Sequence, residues 1–250
     1  MNLERYSRQI AFERIGSSGQ NALKGSTIGI IGCGALGTNI LDSIARSGVG
    51  KIIICDSDII ELSNLQRQKL FTENDIGRSK SKTAEQIIKN INSQVEIKSF
   101  DMRVDKNNFF RIYGNCDLLL DATDNFETRF MINEECLLHN IPWIFSGITS
   151  SSGQSAFIYP PKTSCLKCFL NSDTIPETLP NTVRNGIIST IASAISSISV
   201  TKAIKYLIRK EIDQEIIYMD IWTFDFKKFF VPSNPRCGVC SSLHKGRNTK

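Results

Sequence analysis

Apolar and β-branched residues gather over Thr27 to Ile31, and a run with helical spacing follows over Leu36 to Ser47. The alternation then repeats. Lys51 to Asp56 reads as a strand, Lys80 to Asn92 as a helix, and Val95 to Phe100 and Asp117 to Ala122 as strands; Phe126 to Asn140 is helical and Trp143 to Ser146 a strand. Apolar strands alternating with helices predict an α/β fold, a parallel sheet with helices on both faces. After Gly153 the style changes: Gln154 to Tyr159, Ile216 to Trp222 and Asp225 to Val231 look like strands outside that alternation, so antiparallel additions to the sheet are expected. The polar, proline-containing stretch Leu170 to Asn185 reads as a mobile loop. Gly186 to Ile208 resembles a membrane span in length. It is rich in Ser and Thr, contains Lys202 and Lys205, and repeats Ile187, Ile191, Ile195 and Ile198 at helical spacing, which predicts a buried helix packed through small residues.

The 250 residues suit one large domain or two small ones, and 41% hydrophobic with 22% charged residues excludes a disordered or collagen-like chain. A net charge of +5 is concentrated in Arg67 to Lys82 and in the tail after His244. That is too weak and too local for a nucleic-acid binder, and an anionic small ligand such as a nucleotide fits better. The opening residues Met1 to Arg5 show no apolar signal segment, so a cytoplasmic protein with no membrane attachment and with reduced thiols is expected.

Gly32-Cys33-Gly34-Ala35-Leu36-Gly37 lies between a predicted strand and a predicted helix. Such glycines permit a tight turn and let backbone N–H groups approach a phosphate at the helix N-terminus. Asp56 ends the next strand, nineteen residues beyond Gly37, where a carboxylate accepts from ribose hydroxyls. The competing reading is a tight turn with no ligand. Arg67, in Ser63-Asn64-Leu65-Gln66-Arg67-Gln68, and Lys80, in Ser79-Lys80-Ser81-Lys82, supply the cations a triphosphate needs when pyrophosphate leaves. Either alone would pass as a solvated surface charge. Asp124, in Asp121-Ala122-Thr123-Asp124-Asn125, is placed to hold Mg²⁺, or alternatively to N-cap the helix beginning at Phe126.

Eight cysteines include two pairs, Cys165-x-x-Cys168 and Cys237-x-x-Cys240, separated by 68 residues. They read as a closed, structural Cys₄ zinc site; the alternatives are two unrelated thiol pairs or a redox motif. Cys33, Cys55, Cys116 and Cys136 fall in or beside predicted core elements, and packing is their expected role.

Together with Arg5-Tyr6-Ser7-Arg8-Gln9-Ile10, these motifs resemble the ThiF/MoeB adenylyltransferases, relatives of the ubiquitin-activating enzymes, in order and from about Arg5 to Cys240. The resemblance implies a Rossmann-like, doubly wound, mostly parallel sheet extended by antiparallel strands and carrying a Cys₄ zinc site. It implies a single adenylation domain over 1–250, with its nucleotide-binding part in 1–150 and its carrier-binding and zinc part in 151–250. ATP would sit on Gly32, Gly34 and Gly37, with Asp56 and Asp58 on the ribose. Asn64, Arg67 and Lys80 would meet the phosphates, Gln68 and Asn125 would complete the nucleotide site, and Asp124 would hold Mg²⁺. Arg8 would reach the other subunit's site in a homodimer.

The implied reaction is adenylylation of the C-terminal Gly-Gly carboxylate of a small ubiquitin-like sulfur carrier. The single-domain length, Arg5 to Arg8 and Leu70 to Ile76 look closer to ThiF, and so to a ThiS-type carrier for thiamine thiazole, than to a MoaD-type carrier for molybdopterin. Thr182 stands where many relatives have a cysteine that links to the carrier, which predicts sulfur delivery by a separate sulfurtransferase. Two rivals use the same residues differently. An NAD-dependent oxidoreductase leaves Arg67, Lys80 and Asp124 without purpose, and a non-catalytic carrier-binding scaffold would be free to lose them.

Overall fold

A computed structural model describes residues 3–170 and 186–244. Its strands are β1 (Thr27–Ile31), β2 (Lys51–Cys55), β3 (Glu96–Phe100), β4 (Leu118–Asp121), β5 (Trp143–Thr149), β6 (Ser152–Ile158), β7 (Glu215–Asp220) and β8 (Asp225–Phe230). They form one eight-stranded sheet in the order β3-β2-β1-β4-β5-β6-β7-β8. The first five strands in that order are parallel, and β6, β7 and β8 are added antiparallel at one side. The described helices are α1 (Ser7–Ile10), α2 (Gly16–Lys24), α3 (Ala35–Ser47), α4 (Lys80–Ile91), α5 (Phe109–Tyr113), α6 (Phe126–Leu138), α7 (Leu166–Phe169), α8 (Ser189–Arg209) and α9 (Ser241–His244).

Two apolar cores lie on opposite faces of the sheet. Ile28, Ile30, Ile52, Ile54, Leu118 and Leu120 pack with α3, α4 and α8. The alternate positions Ile31, Ile53, Cys55 and Leu119 pack with α5, α6 and the C-terminal cysteines. Burial on both faces is why these strands read as unbroken apolar runs. All four unpaired cysteines, Cys33, Cys55, Cys116 and Cys136, are buried in these cores, as expected.

The expected elements recur with boundaries shifted by up to three residues. The helix expected over Phe126 to Asn140 stops at Leu138, and Asn140 turns to a left-handed φ of 55°. Helices α1, α2, α5, α7 and α9 were not expected, being too short to establish a period. Helix α8 has the length and hydropathy of a membrane span, yet it packs on α2, α3, β5 and β6. Its buried hydroxyls are satisfied within the fold: Ser199 Oγ lies 2.9 Å from both Ser146 Oγ and Ser155 Oγ, and Ser196 Oγ donates to the carbonyl of Leu36 at 3.2 Å. The loop expected from Leu170 to Asn185, with Thr182, lies outside the described residues beyond Leu170.

Candidate active site and metal centre

β1 and β4 are neighbours, but the chain proceeds from β1 to β2 on one side while β5 lies on the other. Loops at the C-terminal ends of such strands splay apart and open a crevice. Here it is a cavity of about 1500 Å³ lined by Gly32, Gly34, Asp56, Asp58, Asn64, Arg67, Gln68, Lys80, Asp124 and Asn125. These are ten of the twelve residues the sequence assigned to nucleotide, phosphate and magnesium contacts or to catalysis. The other two, Gly37 and Arg8, do not line it.

Gly32 holds φ at +96°, and a Cβ there would meet the carbonyl oxygen of Ala122 at 2.7 Å. A Cβ on Gly37 would lie 2.1 Å from the carbonyl oxygen of Gly32. Gly37 therefore lets α3 close onto the turn, and it lies outside the cavity lining. Gly34 is different: the nearest atom to such a Cβ is Gln68 Nε2, at 3.9 Å, so a side chain there would fill cavity space. Gly34 also N-caps α3 without a side-chain hydrogen bond, leaving the helix N–H groups available to an anion. Arg8 lies exposed on α1.

Asp56 is fixed by two backbone donors, the Cys33 N–H at 2.6 Å and the Asp58 N–H at 2.8 Å. Burial pushes its carboxyl above the usual range, against the pull of those donors and of Lys80. The Lys80 ammonium lies 2.8 Å from Asp58, which anchors it at the cavity wall. Arg67 Nη1 donates to the carbonyl of Ser63 at 2.9 Å. Asn64 Oδ1 accepts the Glu61 N–H at 3.2 Å and closes the turn that presents Arg67. Gln68 is buried, and its Oε1 accepts no hydrogen bond from the described residues.

Asp124 does not cap α6. Asn125 takes that role, its side chain accepting the Thr128 N–H at 2.9 Å, because it is the residue immediately before the first helical position. Asp124 is left exposed at the cavity, touched only by Asn125 Nδ2 at 3.4 Å among the described hydrogen bonds. An exposed carboxylate with so few protein partners suits Mg²⁺, which takes few protein ligands and keeps its waters.

Sequence reasoning missed two groups of residues. Arg129, on α6, lines the cavity and pairs with the fully buried Asp121 at 3.2 Å. Its place one helical turn after Asn125 was the available signal. Gly147, Ile148, Thr149, Gln154 and Tyr218 form the far wall, and only the pairing of β5, β6 and β7 brings them there.

The four paired cysteines converge. All their sulfurs lie within 4.8 Å of one another, with Cys165–Cys168 and Cys165–Cys237 at 3.7 Å and Cys168–Cys240 at 3.5 Å. Tetrahedral Zn–S bonds of about 2.3 Å place sulfurs about 3.8 Å apart, so the set fits a metal ion. The Asn234 N–H points at Cys168 Sγ at 3.4 Å, the outer-shell hydrogen bond usual for a thiolate ligand. Cys165 precedes the one-turn helix α7, as the first cysteine of a redox motif does, but the convergence of both pairs in one four-sulfur cluster argues against two independent thiol pairs.

The sequence profile of the ThiF family matches residues 6–239. The chain belongs to the ThiF family. Among its relatives, the sulfur carrier protein ThiS adenylyltransferase of Bacillus subtilis is 38% identical over 87% of this chain. The probable molybdopterin-synthase adenylyltransferase of Porphyra purpurea is 35% identical over 96% of it. In both cases the match spans 65% of the relative's own length. Both relatives are thus named adenylyltransferases, one of the sulfur carrier protein ThiS and the other of molybdopterin synthase. The fold is shared with E. coli MccB, whose crystal structure with ATP superposes with a TM-score of 0.80 at 24% identity, covering 96% of this chain and 75% of that one.

Proposed function

We propose that this chain is an ATP-dependent adenylyltransferase, acting on the C-terminal Gly-Gly carboxylate of a small ubiquitin-like sulfur carrier. The observation that carries the reading is the single cavity in which the uncapped α3 N-terminus, Asp56, Arg67, Lys80 and Asp124 face one another. A plain dinucleotide site needs neither the two cations nor the exposed carboxylate. The wall formed by β5 and β6 continues the same cavity and suits an extended peptide tail.

In this reading the carrier carboxylate attacks the α-phosphorus of ATP and pyrophosphate leaves. No general base is required, because a carboxylate is already ionised at pH 7. Catalysis therefore rests on positioning and on cations facing the departing charge, Arg67 and Lys80. Asp56 accepts from the ribose, with Asp58 holding Lys80 in place. Asn64, Gln68 and Asn125 complete the nucleotide wall. Asp124 would hold Mg²⁺, which supplies charge neutralisation at the phosphates. Arg8 serves the site of a second copy, which makes the working unit a homodimer. Zn²⁺ on Cys165, Cys168, Cys237 and Cys240 is structural, with no open position for substrate.

We take the carrier to be ThiS-type, for thiamine thiazole. A MoaD-type carrier is the second reading, supported by the molybdopterin-named relative. With threonine at position 182, sulfur delivery falls to a separate sulfurtransferase. Electrophoresis without thiol reductant of the chain and of Thr182→Cys, each incubated with carrier and ATP, tests whether position 182 permits a covalent link: the new thiolate would displace AMP from the carrier adenylate to leave a thioester, and an adduct only in the variant is the expected result. ATP–pyrophosphate exchange by the zinc-loaded protein, with each carrier in turn, tests the main reading. Exchange with the ThiS-type carrier alone is expected; exchange with neither would refute adenylylation of these carriers.

A further inference from the structure

Arg129 is buried in α6, with two aromatic rings as neighbours: its guanidinium carbon lies 5.1 Å from the centroids of both Phe126 and Phe145. Nε meets Asp121 Oδ2 at 3.2 Å, and Nη2 donates to the carbonyls of Thr123, at 2.6 Å, and Ser146, at 3.1 Å. One planar side chain thus ties together the end of β4, the peptide immediately before Asp124, and β5. Asp121 completes the clamp from the other side, accepting the Thr123 N–H at 2.9 Å and the Thr123 hydroxyl at 2.6 Å. The helix carrying Arg129 is itself anchored one turn on, where Asn133 Oδ1 accepts the Leu166 N–H, next to Cys165, at 2.9 Å.

From this geometry we infer that Arg129 is a positioning residue for Asp124. The proposal rests on the reading that Asp124 holds Mg²⁺ for ATP. Asp124 is exposed and, apart from a long contact to Asn125, has no side-chain hydrogen bond of its own among the described residues. Its place over the cavity is therefore set through its backbone, and the Thr123 carbonyl is where the surrounding fold grips that backbone. A fork-shaped donor is needed for this. A single ammonium cannot span the Asp121 carboxylate, the Thr123 carbonyl beyond the end of β4 and the Ser146 carbonyl on β5 while packed beside two aromatic rings.

The test uses Mg²⁺-dependent ATP binding, read by titration calorimetry on the zinc-loaded protein without carrier. Arg129→Lys retains a cation for Asp121 but loses the fork. Asp121→Asn combined with Arg129→Gln removes both buried charges together and guards against misfolding of the first variant. In each, the Mg²⁺ concentration for half-maximal ATP binding is expected to rise at least tenfold. Adding Asp124→Ala to either should raise it by less than a further threefold, although Asp124→Ala alone raises it as much as Arg129→Lys does. That non-additivity is the signature of action through Asp124 rather than through general stability. Folded variants with wild-type Mg²⁺ dependence, or effects that simply add, would overturn the proposal. Failure of both Arg129 variants to fold would assign the residue to stability alone and overturn it equally. Wild-type protein that binds Mg·ATP but supports no pyrophosphate exchange would refute the adenylation reading while leaving the Mg²⁺ comparison to decide the role of Arg129. Absence of Mg²⁺-dependent ATP binding in the wild type would overturn both.

Discussion

Arg67 and Asp124 differ in how the fold holds them, and that difference shapes what their removal should do. Arg67 is braced by the carbonyl of Ser63, whereas Asp124 has almost no side-chain partner. Arg67 is half-buried and Asp124 exposed, so Arg67→Ala is expected to unfold within a few degrees of the wild-type temperature and Asp124→Ala at it, while each loses about 10²-fold or more in exchange rate. Unchanged exchange in either variant would remove that residue from the site. Asp56 adds a pH dependence. Burial raises its carboxyl pKa, so it protonates at a higher pH than an exposed aspartate and loses acceptor capacity there. ATP affinity should accordingly weaken as the pH falls through the upper carboxylate range, and Asp56→Asn should be weaker at neutral pH and flat across that range in a binding titration.

Among the secondary-structure elements, α6 shows how a small local choice redirects a site. Both Asp124 and Asn125 are good capping residues by type, and only the register of the helix decides between them. With Asn125 bound to the Thr128 N–H, Asn125→Ala should cost about 1 kcal/mol in urea unfolding. Asp124→Ala should leave that stability unchanged. The reverse ranking would mean that the helix starts one residue earlier. The cysteine pairs make a corresponding case for the C-terminal segment. Cys237 and Cys240 sit on a stretch tied to α7 and the residues before it through the sulfur cluster, the Ser233 hydroxyl donating to the Thr163 carbonyl, and the Asn234 N–H on Cys168 Sγ. Chelation of the metal should lower the thermal midpoint and expose the Cys240 thiol to alkylation, and retention of both the midpoint and thiol protection in chelator would argue against a metal there.

For the whole molecule, the buried thiols of the two cores weigh against stability at alkaline pH. Burial raises the thiols of Cys55 and Cys116 to about 12 and pushes those of Cys33 and Cys136 well up. Well below pH 9 these groups are protonated whether the chain is folded or not, so they have no effect on stability. Above it the unfolded chain ionises and the folded one does not, so stability falls by up to about 1.4 kcal/mol per pH unit for each thiol. The urea midpoint under reducing conditions should therefore drop between pH 9 and 11, and Cys55→Ala should shallow that slope. An unchanged slope would place Cys55 in a more solvated setting than the one described.

Periodicity and motif order were enough to read the parallel sheet, the glycine turn, Asp56, the cations Arg67 and Lys80, and the two cysteine pairs. Each of these is local: a run of alternating or unbroken apolar positions, or a few residues at a set spacing, carries its own physical meaning. The assignment of Gly37 to packing, the passing of the helix cap to Asn125, the pairing of Lys80 with Asp58, and the clamp of Arg129 on Asp121, Thr123 and Ser146 were settled only by the folded chain. These depend on which strands become neighbours and on helix register to within one residue. Contacts between residues 22 positions apart, as for Lys80 and Asp58, arise where the chain after β2 meets the start of α4 at the Ile59–Ser79 bridge, and leave no spacing in the chain to read.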